Sequence, residues 1–300
     1  MALPADALLD RRRLKRRLLL WQGAAVLAVV ALALVLLRPL LDEDGARVAR
    51  LVVSGFIGED RARDEALDKL AEDDGVKALL VAVNSPGGTT AGSEAIYLAL
   101  RRIADRKPVV AAIGTLGASG GYIVAIGADH IVARETSLTG SIGVLLQTAD
   151  VTGLLEKLGV EAESVKSHPV KGQPSPFEPF TEEARAGIKD VVDDSHRWFR
   201  GLVSERRKLE GQRLDSVSTG RVFTGRQAVV AGLVDAVGGE REAREWLARE
   251  KGVSKDLPTV EVKYGEPEPL VERLAGHAAA KLLLPERLTL DALLSLWQAR

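Results

Sequence analysis

A chain of 300 residues is long enough for one or two domains and a sizeable core. Its formal charge of −1 gives no single-sign field of the kind that nucleic acid demands, and the absence of cysteine excludes disulfides, zinc–thiolate sites and a cysteine nucleophile. The four histidines, His130, His168, His196 and His277, do not cluster at metal-ligand spacing, so neither a metal nor a cofactor is expected.

The chain opens on residues 1–17, which end in the basic run Arg11-Arg12-Arg13-Leu14-Lys15-Arg16-Arg17. Leu18 to Leu37 follow without a charge, and as a helix these residues rise about 30 Å, enough to span a bilayer's hydrocarbon core. The run is longer than the apolar part of a secretory signal, and Arg38-Pro39-Leu40-Leu41-Asp42 is a poor cleavage site. The expectation is one transmembrane helix over residues 18–37. Basic residues before it and Asp42-Glu43-Asp44 after it put the N-terminus in the cytoplasm and the remainder on the extracytoplasmic side of the cell membrane.

Beyond a linker over residues 38–47, apolar runs alternate with amphipathic ones. Val48 to Val53 reads as a strand ending at Ser54-Gly55, and 61–72 as a helix with Ala62, Ala66, Leu67 and Leu70 inward. Lys77 to Val83 is a buried strand running into the turn Asn84-Ser85-Pro86-Gly87-Gly88, followed by a helix over 91–104. Val109 to Ile113 is the next strand. It leads into Gly117-Ala118-Ser119-Gly120-Gly121-Tyr122, a further helix, and a strand at Asp129 to Ala133. Such alternation predicts an α/β fold with a mainly parallel sheet, whose ligands bind beyond the carboxyl ends of the strands.

Both glycine turns lie at such ends. A serine in a strand-to-helix turn exposes its hydroxyl, and the first amides of the helix have no partner inside it. Ser119 is therefore a candidate nucleophile beside anion-stabilising donors. Downstream, Val160 to Val165 is predicted as a strand, and the proline-rich stretch Pro169 to Pro179 as a stiff extended segment. Thr181 caps a long amphipathic helix with Ala184, Ile188, Val191, Trp198 and Leu202 at helical spacing. Two lysines, Lys166 and Lys171, precede that helix, and either one fits a solvated surface role as well as that of a base.

Taken together these motifs resemble the signal peptide peptidase A family, membrane-anchored Ser-Lys peptidases with a Clp/crotonase-like fold of β-β-α units. The resemblance covers about residues 48–250. It rests on Asn84-Ser85-Pro86-Gly87-Gly88, Gly117 to Tyr122, Leu138-Thr139-Gly140-Ser141-Ile142-Gly143-Val144, Val165-Lys166-Ser167 with Lys171 and Ser175-Pro176, and Gly220 to Ala228. It implies Ser119 as nucleophile, Lys171 rather than Lys166 as base, and Ser141 orienting that base. It also implies an oxyanion hole from Gly120 and Gly88, with Gly87 as the alternative to Gly88. Where the family often carries Lys-Ser-Gly and Lys-Asp around the base, this chain has His168 and Gly172. The resemblance further implies peptide substrates such as signal-peptide remnants, and a homo-oligomer, in which the serine and lysine of one site come either from one chain or from two neighbouring ones. A peptidase domain is thus expected over residues 48–257, with a C-terminal extension over 258–300 containing a strand at Val260 to Tyr264 and helices at 270–284 and 288–298.

Other residues carry plainer readings. His130 belongs to an apolar strand, Asp129 ends one, Arg221 and Arg226 flank a turn, and Asn84 holds the glycine turn. The competing functions are an α/β-hydrolase-type esterase using His168 or His196, a crotonase-type acyl-CoA enzyme, and a catalytically inactive membrane-anchored scaffold. No convincing acid–histidine pair follows Ser119, which weighs against the first.

Overall fold

A computed structural model describes Leu18, residues 21–30 and residues 45–264. Residues 21–30 are helical with exposed side chains, and among the described residues no helix is long and apolar enough to cross a membrane. The remainder of the predicted 18–37 anchor, the basic stretch before it and the helices predicted at 270–284 and 288–298 lie outside the described residues.

Eight strands form one mixed, mostly parallel sheet among the described residues. They are β1 (Arg47–Ile57), β2 (Val76–Gly88), β3 (Val109–Ala118), β4 (His130–Ala133), β5 (Leu138–Gly140), β6 (Val222–Thr224), β7 (Ala236–Val237) and β8 (Thr259–Glu261). The main path runs β6-β5-β3-β2-β1-β8, with β5–β6 the antiparallel pair. Strand β3 forks the sheet. Its first half, Val110 to Ile113, pairs with β4, and its second half, Leu116 to Ala118, pairs with β5. The segment ending at the predicted nucleophile is therefore held at both of its ends by different neighbours.

The helices after β1 are α1 (Arg61–Glu72), α2 (Thr90–Ala104), α3 (Gly120–Ile126), α4 (Thr152–Lys157), α5 (Glu182–Arg207), α6 (Gly211–Val217), α7 (Gly225–Ala231) and α8 (Glu240–Lys251); α4 buries no residue, and others of them cover both faces of the sheet. Strand alternation divides the core between the faces. Leu51, Leu79, Val81 and Ile113 point to the larger cluster with α2 and α3, while Val48, Leu80, Val110 and Val132 pack on Ala243 and Leu247 of α8. Burying each large aliphatic side chain contributes roughly 1.5–3 kcal/mol, so the two-sided covering explains why β2 and β3 read as continuous apolar runs.

Several expectations are corrected. Strand β1 does not stop at Ser54-Gly55: it bulges there and continues to Ile57, opposite Gly88. The Asn84 to Gly88 stretch is correspondingly the extended end of β2, because Ser85 Oγ donates to Gly55 O at 2.6 Å and ties the two strand ends together. In α1, Ala62 is exposed and Arg63 is buried instead, its guanidinium donating to Gly58 O at 3.2 Å. No strand forms at 160–165: the segment has no pairing partner among the described residues, and Val165 is 97% exposed. The proline-rich stretch is a series of turns, with the Lys171 amide donating to His168 O, so proline there blocks helix without enforcing extension. Val191 of α5 is exposed, and the buried positions of that helix are Ala184, Phe199 and Val203, since its first half stands away from the sheet. The predicted capping holds: Thr181 Oγ1 accepts from the Ala184 amide at 3.3 Å. Of the strand predicted at Val260 to Tyr264, only Val260 and Glu261 are strand, within β8 at the edge beside β1.

Candidate active site

Ser119 sits between β3 and α3 with φ 53° and ψ −119°, a conformation that L-residues rarely adopt. Holding a non-glycine residue there costs on the order of 1–3 kcal/mol. What over-determines it is visible on both sides. Its amide donates to Gly140 O at 2.9 Å, and its carbonyl accepts from the Tyr122 and Ile123 amides at 2.9 and 3.0 Å. All seven residues of α3 are buried. The far end of this short helix is clamped by two arginines: Arg206 donates to Ile126 O and Ala128 O at 3.0 and 2.9 Å, and Arg101 to Gly127 O at 3.0 Å. Guanidinium groups at the carbonyl end satisfy its free acceptors and complement its dipole. Tyr122, fully buried, donates its hydroxyl to Leu233 O at 2.7 Å, and burial pushes that phenol's pKa up.

The end of β2 lies directly against this elbow. A Cβ on Gly87 would stand 2.8 Å from the Gly120 nitrogen and 3.0 Å from Ser119 Cβ, and Gly87 has φ +110°, so no other residue fits. A Cβ on Gly120 would meet Ser93 Oγ at 2.2 Å and the Gly88 nitrogen at 3.1 Å. The backbones of Gly87-Gly88 and Ser119-Gly120 are thus in mutual close approach because neither glycine carries a side chain. The Gly87 amide is already donated to Ser85 Oγ at 3.0 Å. Of the two glycine amides considered from sequence, that leaves Gly88 as the candidate donor beside Gly120.

Ser119, Gly87, Gly88, Gly120 and Ser141 all line one cleft of about 750 Å³. Ser141 follows Gly140, also has positive φ (51°), and its amide donates to Arg221 O at 2.9 Å. Ile123 on α3 and Val192, His196, Trp198 and Phe199 on α5 also line the cleft. Among the described residues lining the cleft, His196 is the one ionisable side chain, and no carboxylate is among them. Sequence reasoning considered His196 only for the esterase alternative. The signal that places it is its helical spacing from Val192 and Phe199, which puts the three near one face of α5.

The structure does not bring the two lysines into this cleft. Lys171 is exposed on the turn-rich segment after Lys166, and Lys166 is ion-paired with Glu178 beside His168 and Gln173 in a separate depression. The bland readings made elsewhere hold. Asn84 Oδ1 accepts from the Leu116 amide at 3.2 Å, linking β2 to β3, and Asp129 pairs with Arg101 at 3.2 Å. His130 stacks on Trp246 with ring centroids 4.6 Å apart, Arg226 pairs with Glu135 at 3.0 Å, and Arg221 lies over the Phe223 ring. No group of acidic or histidine side chains suited to a metal occurs among the described residues.

Comparison with known proteins supplies what the geometry of one chain cannot. The family model described as Peptidase family S49 matches residues 101–254. The chain is 39% identical to a provisionally named protease of Synechocystis sp., over 77% of this chain and 83% of that one. It is 37% identical to another provisionally named protease, from Methanocaldococcus jannaschii, covering 66% of this chain and 63% of the relative. It is also 36% identical to a provisionally named signal peptide peptidase SppA of Enterococcus faecium, over 66% of this chain and 57% of that one. The chain therefore spans less than two thirds of the length of the second and third of these relatives.

Proposed function

The chain belongs to peptidase family S49, the signal peptide peptidase A family, and from that premise we propose that it is a serine endopeptidase with Ser119 as nucleophile and Lys171 as general base. The observation that carries this reading is the strained Ser119 elbow facing a cleft beside the Gly88 and Gly120 backbones. The finer fold assignment, a Clp/crotonase-like arrangement of β-β-α units, belongs to the same proposal.

In the first step Ser119 Oγ bonds to the carbonyl carbon of the scissile peptide while its proton passes to the neutral lysine amine. The Gly88 and Gly120 amides receive the developing oxyanion, and each such donor is worth about 3–4 kcal/mol. Collapse breaks the C–N bond, and the lysine returns the proton to the leaving amine. Water then attacks the acyl ester, its proton taken by the lysine, and Ser119 is regenerated. A lysine base must be uncharged, and withdrawal from water favours the neutral amine.

Lys171 is exposed and stands off the cleft that Ser119 lines, so we propose that it serves the site of a neighbouring copy. Exposed apolar side chains along the same segment, Leu145, Leu146, Val165 and Phe177, support its burial in a homo-oligomer. Ser141 lines the same cleft, which supports a role for its hydroxyl in receiving and orienting the incoming amine. The substrates proposed are signal-peptide remnants and other peptides near the membrane, reached through an anchor over residues 18–37 with the peptidase domain on the extracytoplasmic side.

Mixing Ser119→Ala protein with Lys171→Ala protein tests the dyad and its origin together. Each variant alone is expected to be inactive on a peptide substrate, and the mixture to recover part of the activity. Full turnover by either single variant rejects the dyad, and an inactive mixture of folded, co-assembled chains rejects the shared site.

A further inference from the structure

Among the described residues lining the cleft with Ser119, His196 is the one aromatic ring that carries a hydrogen-bonding nitrogen acceptor. It lies on α5 with Val192 and Phe199, and these line the cleft together with Ile123 of the helix that begins just after Ser119. Its Nε2 is 3.1 Å from the carbonyl oxygen of Ser218, itself a lining residue. A carbonyl oxygen only accepts, so Nε2 carries the hydrogen of that bond, and the neutral imidazole is left with Nδ1 as a bare acceptor. No donor meets Nδ1 among the described residues. An acceptor that no protein donor meets favours a ligand that donates to it, and penalises one of the same shape that leaves it unpaired.

Resting on the serine-peptidase reading above, we infer that His196 is a specificity-determining residue. Its Nδ1 accepts a hydrogen bond from the side chain of the residue that supplies the attacked carbonyl. The cleft thereby favours small side chains with a hydroxyl or amide donor, such as serine, threonine or asparagine, over apolar ones of equal size. Val192, Phe199 and Ile123 limit that side chain's volume, and His196 sets its polarity.

The test uses the assembled full-length enzyme and two peptides differing only at that position, one with serine and one with its isostere α-aminobutyrate. The wild type is expected to show about fivefold higher kcat/KM for the serine peptide, the worth of one neutral hydrogen bond. His196→Phe should bring the ratio to about one, while His196→Asn, whose Oδ1 stands near the position of Nδ1, should restore a preference. Equal kcat/KM for both peptides in the wild type overturns the inference, as does an undiminished preference in His196→Phe. Cleavage of both peptides that disappears in Ser119→Ala keeps the peptidase reading intact whichever way the ratio falls. Absence of any Ser119-dependent cleavage overturns that reading, and this inference with it.

Discussion

The amide of Ser119 donates to the carbonyl of Gly140 at 2.9 Å, which locks the elbow at the end of β3 to the turn that presents Ser141. Two residues far apart in sequence thereby face one cleft through backbone alone. The positive φ of both serines follows from this junction, where β3 leaves its pairing with β5 and both chains turn sharply toward the cleft.

Gly87→Ala tests the close approach that frames the site. The added Cβ would fall 2.8 Å from the Gly120 nitrogen, on a backbone with φ +110°. Stability is expected to drop by about 1–3 kcal/mol from backbone strain alone. Turnover should fall on the order of 100-fold as the Gly120 amide is displaced. Thermal melts and peptide kinetics check both, and a variant with unchanged turnover removes Gly87 from the account of the site.

Tyr122→Phe isolates the anchor under the elbow. It deletes a fully buried hydroxyl bonded to Leu233 O at 2.7 Å and strands that carbonyl. A loss of about 1–3 kcal/mol is expected in a denaturant titration. An unchanged midpoint would remove this hydrogen bond from the account of what holds the elbow.

Arg206→Ala addresses the other end of α3. The guanidinium caps Ile126 O and Ala128 O, and burial lowers its pKa, so its removal frees two acceptors at the helix terminus. The midpoint of unfolding should shift down, and kcat/KM should fall, because the helix follows the proposed nucleophile Ser119 and carries Ile123 of the cleft. Arg206→Lys is expected to recover only part of the loss, since an ammonium lacks the planar fork that reaches both carbonyls. Unchanged kcat/KM in a variant with a lowered midpoint would show that the helix end does not set the geometry of the site.

His130 gives a pH dependence with a definite sign. Burial lowers its pKa below the ordinary 6.5, partly opposed by Asp235 and reinforced by Arg207 and Arg249, with Glu250 acting the other way. The folded chain therefore disfavours the charged ring. Its contribution is fully present above the unfolded value of 6.5, and it drains away as pH falls below that value toward the lower folded pKa. His130→Phe, which can keep the stack on Trp246, should lose less stability than wild type between about pH 7 and pH 5. Parallel pH profiles of the two urea midpoints would rule the contribution out.

Removing residues 18–37 is expected to move the protein from the membrane fraction to the supernatant without abolishing peptide cleavage. Retention on membranes after the deletion would transfer the anchoring role to another part of the chain.

Sequence alone determined the alternation of strand and helix and the Ser119 elbow between β3 and α3, because each is a local pattern of apolar period, turn residues and caps. Leu79 to Val83 and Val109 to Ile113 could only be buried strands, and Thr181 could only begin a helix. Tertiary structure decided that Gly55 bulges rather than ends β1, that Val160 to Val165 stays unpaired, and that His196 enters the cleft while Lys171 stays outside it. These depend on contacts between segments tens of residues apart, and a strand without a partner or a lysine without a pocket looks, in one dimension, the same as one that has found it.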